Sequence, residues 1–265
     1  DQPGFTHDLA VNERNCYVRL NEPVTIESGD QIGTTGNLVI GMSGLDMGVR
    51  DYRDPAGRSD FARPDRWCGA DMREGRSRCY AVSPLTLMPT DIVAPYLDKM
   101  EDGWGTFRTE APQEGNSVHL DVVGTAQGYW FPEEVDPLTT SGPERLNLYL
   151  GPNDFKPSWH SFSLGEGLED VSVPVQAGVY TFAPEASGSV NPAFDEVEAG
   201  DTVCYELLSG YARDLEAGYT WALGDKVLLL QMAADGNSLQ LEAQSRTRCG
   251  EAPYTLTGGG ITFER

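Results

Sequence analysis

The feature that most constrains this chain is its punctuation: 30 glycines and 17 prolines divide 265 residues into short apolar runs. Such breakers leave little room for long helices. Runs of β-type sequence recur over 17–20, 38–41, 118–123, 146–150, 171–175, 179–182, 203–208, 226–232, 239–243 and 260–263. Turn signals separate them, among them Ser28-Gly29-Asp30, Ala199-Gly200-Asp201 and Asp235-Gly236-Asn237. Short strands at this spacing imply an all-β fold, an antiparallel sandwich or barrel. One short helix is expected over 89–100, where Ile92, Val93, Tyr96, Leu97 and Met100 share a face and Thr90 or Asp91 can cap it. Residues 101–115 are polar and breaker-rich and read as a linker between a first β unit, 1–100, and a larger one, 116–265.

Composition narrows the function. Hydrophobic residues make up 39% of the chain, enough for a core, and the formal net charge is −22. A nucleic-acid binder needs a basic footprint to displace counterions, and docking to anionic lipid needs one too, so both classes are disfavoured. No apolar run approaches the length of a membrane-spanning helix. Asp1 follows no Met and no basic or apolar leader, so the chain reads as a processed or trimmed product.

The five cysteines are Cys16, Cys68, Cys79, Cys204 and Cys249, and none forms a C-x-x-C pair. Cys68 and Cys79 flank a loop rich in Gly, Arg and Asp. Cys204 lies in a strand-like run and Cys249 precedes the final strand. Bridges Cys68–Cys79 and Cys204–Cys249 are therefore expected, with Cys16 left over, and a secreted or periplasmic location follows. Five buried free thiols are the alternative.

Residues 23–37 run Pro-Val-Thr-Ile-Glu-Ser-Gly-Asp-Gln-Ile-Gly-Thr-Thr-Gly-Asn, an alternating strand, a Gly-Asp turn and a glycine-rich unit. This resembles the second half of the LytM-type (M23) peptidase domain, and Phe5-Thr6-His7-Asp8-Leu9 is similar to that family's Tyr-x-His-Leu segment. The resemblance covers about residues 5–50 and implies a partial LytM-like β domain. It also implies a zinc site, which the family builds from an early His-x-x-x-Asp and the second His of His-x-His. Here no His-x-x-x-Asp precedes His7, and the His-x-His positions are occupied by Gly44 and Asp46. A catalytic zinc needs three protein ligands and an open position. His7 and Asp46 are thus weak candidates, and the chain looks like a degenerate, non-peptidase relative. Leu45-Asp46-Met47-Gly48-Val49-Arg50-Asp51, the later Ser83-Pro84-Leu85 and the β-rich tail are similar to uncharacterised secreted bacterial proteins, which supply no activity.

The remaining candidates are few. His119 and Asp121 alternate onto one face of a strand-like run and form a possible metal pair, with His160 a conceivable neighbour; a solvated strand face explains them equally. Gly-x-Ser-x-Gly does not occur, and Ser187 and Ser209 read as turn serines. Gly124-Thr-Ala-Gln-Gly128 reads as a tight turn or bulge ahead of buried aromatics. The acidic stretch 195–201 has the oxygen donors calcium favours, without a regular calcium loop. Trp104, Tyr129, Trp130 and Trp159 are aromatic rings in a polar β context, able to stack on sugars or to fill the core. The function expected is a non-catalytic extracytoplasmic module that binds or scaffolds at the cell envelope, with a glycan or a protein as partner and no cofactor required. The alternatives are a zinc-dependent peptidoglycan hydrolase with an atypical ligand set and a carbohydrate-binding β module.

Overall fold

A computed structural model describes residues 7–11, 16–20, 25, 49–50, 61–67, 80–97, 121–137, 145–153, 156–168, 177–206, 209–211, 220–222 and 225–265. By internal contacts the chain divides into two compact units, Asp1–Met47 and Gly48–Arg265. The smaller unit holds an antiparallel pair, β1 (His7–Val11) and β2 (Cys16–Leu20), in the register His7 with Leu20 and Val11 with Cys16.

The larger unit begins with a short antiparallel pair, β3 (Val49–Arg50) and β4 (Ala81–Val82). Between and after them lie α1 (Pro64–Trp67), a 3-10 turn at Pro84–Leu87 and α2 (Thr90–Leu97). The expected helix is therefore present. The carbonyl of Pro89 accepts the first two bonds, from the N–H groups of Ile92 at 2.9 Å and Val93 at 3.0 Å. Its apolar stripe is not fully covered, since Ile92 is 46% exposed. The expected linker, 101–115, lies outside the described residues.

The rest of the described residues build one antiparallel sheet, in which ten strands are described. In chain order they are β5 (Gly128–Pro132), β6 (Leu148–Pro152), β7 (His160–Leu164), β8 (Gly178–Phe182), β9 (Thr202–Tyr205), β10 (Ser209–Tyr211), β11 (Thr220–Ala222), β12 (Lys226–Met232), β13 (Ser238–Ser245) and β14 (Ile261–Glu264). Their order across the sheet is β11-β10-β8-β7-β6-β5-β14-β13-β12-β9. Phe162 of β7 and Phe182 of β8 nevertheless bring their rings within 4.9 and 5.1 Å of Tyr205 on β9, at the far end of that order. A sheet joins such distant strands only by curling, so it rolls around the main buried cluster. The chain is thus all-β, as its turn spacing implies.

Alternation builds that core. On β12, Leu228, Leu230 and Met232 point inward, where they meet Trp130, Leu148, Phe162, Phe182, Val203, Leu239 and Phe263. The intervening Val227 and Leu229 cover the outer face with Cys204, Cys249 and Tyr254. Strand β12 is buried on both sides, which is why its sequence is a continuous apolar run and not an alternating one. Residues 61–66, assigned with the first β unit by sequence, pack on this sheet. Phe61 and Tyr80 cover Phe131. The Arg66 guanidinium donates to the carbonyls of Val135 at 3.0 Å and Arg265 at 2.7 Å, and pairs with the Glu264 carboxylate at 3.2 Å.

Strand β9 closes one end of the sheet order, and among the described residues its one β-strand neighbour is β12. Successive residues of a strand turn their N–H and C=O groups to opposite sides. In β9 the odd residues face β12, which pairs Tyr205 with Leu228 and Val203 with Leu230. The even residues face away, toward the segment 186–192.

Candidate functional site

The outer edge of β9 is filled one position at a time. At Cys204 the N–H donates to Ser189 C=O at 2.9 Å, and the C=O accepts from Asn191 N–H at 2.9 Å. At Glu206 the same service comes from a side chain. Asn191 Oδ1 accepts the Glu206 N–H at 2.9 Å, and Asn191 Nδ2 donates to the Glu206 carbonyl at 3.2 Å. Asn191 holds this pose with φ +47°, in the left-handed region that Asn tolerates better than most residues. Further along, the covering segment leaves the edge at Gly188, whose φ of +108° suits glycine. Among the described residues nothing pairs with the two edge groups of Thr202, and Thr202 lines a cleft of about 400 Å³ together with Gly188, Ser189, Glu196, Asp201 and Val203 among others.

Several contacts fix the walls of this cleft. The buried disulfide Cys204–Cys249 ties β9 to the segment after β13, across a sequence separation of 45. The Glu206 carboxylate accepts from the Cys249 N–H and pairs with the Arg248 guanidinium at 2.8 Å. Burial raises its pKa, but those bonds and the arginine charge outweigh burial and hold it below the usual carboxylate value. The Asp201 carboxylate accepts the Glu198 N–H at 2.9 Å and closes a turn. His160 acts from inside the core: its Nδ1 accepts the Phe194 N–H at 3.2 Å and so holds the 3-10 turn Phe194–Glu196 that carries one wall. Burial lowers the His160 pKa to about 4, with the nearby Asp195 charge opposing the shift. His160 is therefore neutral at pH 7 and serves as an acceptor.

The acidic rim is solvent-facing. Glu196, Glu198 and Asp201 are exposed, and no Lys or Arg among the described residues lines the cleft. The stretch 195–201 offers calcium donors by sequence; the structure uses Asp201 in part to close its turn. No group of three or more side chains placed to hold a metal ion occurs among the described residues.

The other sequence candidates are dispersed. Cys204 and Cys249 are joined as expected, whereas Cys68, Cys79, Trp104, Asp46 and His119 lie outside the described residues. His7 opens β1 opposite Leu20. Asp121 is committed to backbone: its carboxylate accepts the N–H groups of Tyr129 at 2.9 Å and Ala62 at 3.0 Å. Gly128 makes that approach possible, because a side chain there would collide with the Asp121 carboxylate. Trp130 offers no surface to a ligand. It is fully buried, donates from Nε1 to the Ala126 carbonyl at 2.9 Å and stacks under the Arg265 guanidinium at 4.3 Å. Tyr129 is half-buried, 5.0 Å from the ring of Tyr149. Trp159 is half-buried in the β6–β7 connection with the Lys156 ammonium 4.2 Å over its ring.

The cleft itself is not among the sequence expectations. Two sequence features fall on it without revealing it: the run Ala186-Ser187-Gly188-Ser189, which reads as a turn and gives no hint that it lies along a strand edge, and the acidic stretch 195–201, which supplies Glu196 and Asp201. No helix among the described residues is long and apolar enough to cross a membrane. No family model matches the chain, and it matches neither a curated protein nor a solved structure.

Proposed function

We propose that this chain is a non-catalytic extracytoplasmic module that binds a component of the cell envelope through the cleft beside β9. The observation that carries the reading is the tethered strand edge. Asn191, Glu206 and the disulfide fix β9 on its outer side, yet the covering segment stops short of Thr202 and leaves an open polar recess. A pre-formed concave site with a few convergent polar groups is the usual form of a binding site. The disulfide favours an oxidising compartment, hence a secreted or periplasmic location. A non-catalytic role fits the commitments of the acid–base side chains. Asp121 and Glu242 spend their carboxylate oxygens on backbone N–H groups, and His160 spends its Nδ1 in the same way. Tyr129 and Trp159, half-buried aromatics of the β5–β7 region, favour a glycan as a second ligand class. The LytM resemblance of residues 5–50 fits an ancestry at the envelope, with the zinc positions replaced at Gly44 and Asp46.

Co-sedimentation with purified sacculi, read together with the release of soluble fragments, tests this proposal. Retention of the chain without fragment release is expected. Chelator-sensitive release would revive the zinc hydrolase, and absence of retention would sink envelope binding.

A further inference from the structure

The open position at Thr202 has a specific chemistry. Register and the bonds at Cys204 and Glu206 place both Thr202 backbone groups on the outer side of β9, at the position where the covering segment has already left the edge at Gly188. Its side-chain Oγ1 is engaged by Gln231 Nε2 at 3.0 Å and stays on the β12 side. Among the described residues neither group has a hydrogen-bond partner, and a strand edge left open in this way is a template for one more length of extended backbone. The segment 189–191 shows how such a chain lies, bridging Cys204 in parallel register through Val190. Small residues, Ala186 and Gly188, keep the recess open. The charge around it is one-sided, with Glu196 and Asp201 in the walls and Asp195 and Glu198 exposed beside them.

Resting on the binding-module reading, we infer that the cleft is a β-augmentation site for an extended, basic peptide segment of a partner protein, which pairs its backbone with Thr202 while a Lys or Arg side chain meets Glu196 and Asp201. A sugar also donates to carboxylates, but it does not use an edge N–H and C=O spaced for a peptide unit, and it gains nothing from a rim of one sign. The chain's overall charge of −22 adds attraction for a basic partner at a distance.

The test uses the full chain and an acetylated, amidated hexapeptide of alternating lysine and valine, with binding read by calorimetry. Saturable binding is expected, weakened about tenfold by Thr202→Pro or by N-methylation of the peptide's alternate amides, since each removes one donor of the pair and so about one net backbone hydrogen bond. Glu196→Gln combined with Asp201→Asn should weaken binding about as much and flatten its salt dependence. The N-methylated peptide keeps the test sound even if Thr202→Pro perturbs folding. Absence of binding, or equal affinity for the N-methylated peptide, would overturn the inference. Sacculus retention that soluble glycan fragments displace and the peptide does not would also overturn it, while leaving the binding-module reading standing. Loss of retention altogether marks failure of that reading instead.

Discussion

The side chain of Asn191 reads the backbone of Glu206 as a neighbouring strand would, accepting its N–H at 2.9 Å and donating to its C=O at 3.2 Å. One buried amide thus ends the sheet edge where the main chain turns away. Replacing it has two measurable costs. Asn191→Ala loses both bonds, leaves the Glu206 groups short of partners and puts a Cβ residue at φ +47° with no side-chain bond to hold it there. A loss of about 2–4 kcal/mol in urea unfolding is expected. Asn191→Gly relieves the backbone part and should be about 1 kcal/mol less harmful. Equal stability of Asn191→Ala and the parent would show that the pairing contributes nothing.

The disulfide is predicted to stabilise the edge from outside. Closing a loop of sequence separation 45 restricts the unfolded chain by about 4 kcal/mol in the chain-entropy account. The Cys204→Ser, Cys249→Ser double variant should therefore unfold at markedly lower denaturant while keeping its strand signature by circular dichroism. A midpoint unmoved from the oxidised parent would show that this bridge is dispensable.

Histidine 160 makes stability depend on pH in a defined window. In the unfolded chain the imidazole takes a proton near pH 6.5; in the folded protein burial delays that to about 4. Between those values the unfolded state binds more protons, so this contribution is full above pH 6.5 and falls as the pH drops toward 4. The change is about 3 kcal/mol over that interval. His160→Gln, which does not titrate, should remove this part of the slope. A variant and parent with parallel pH profiles would contradict the assignment.

Glutamate 242 holds the turn before β14. Its carboxylate accepts from the N–H groups of Thr257, Gly258 and Gly259 at 2.9, 3.0 and 3.1 Å, and Gln244 Nε2 donates to it at 2.6 Å. Burial pulls the pKa up, but the bonds from Gln244, Thr257 and Gly259 prevail and lower it. Its contribution is present above the ordinary carboxylate pKa and is lost as pH falls through the lowered one. Glu242→Gln keeps the shape but replaces one acceptor oxygen with a donor facing N–H groups. A cost of about 1–3 kcal/mol at pH 7 is expected by denaturant unfolding, shrinking at pH 3. A cost that does not depend on pH would contradict this.

Local pattern makes some of this legible and distance hides the rest. The run 226–232 is apolar enough to announce β12, and the strand signal at Cys204 with the turn before 260 is sufficient to pair Cys204 with Cys249. Strand β5 is not legible, because Gly124 and Gly128 signal a turn; only its pairing with β6 and β14 makes residues 128–132 a strand. By sequence His160 is no more than a conceivable neighbour of the His119–Asp121 pair, and nothing local shows that it is sandwiched between Phe182 and Phe194, at 6.0 and 5.5 Å between ring centroids. Those neighbours are 22 and 34 residues away in sequence. The cleft is invisible for the same reason. It arises where one segment stops running beside another, and no local motif records such a divergence.

Hydrogen exchange at single amides, before and after saturation with the envelope material that retains the chain, tests the central claim most directly. In the free protein the Thr202 amide should exchange fast while those of Cys204 and Glu206, bonded to Ser189 and Asn191, exchange slowly. On binding, the account predicts new protection at Thr202 and through 186–203, with the rest of the sheet unchanged. Protection confined to other strands, or none at Thr202, would contradict it.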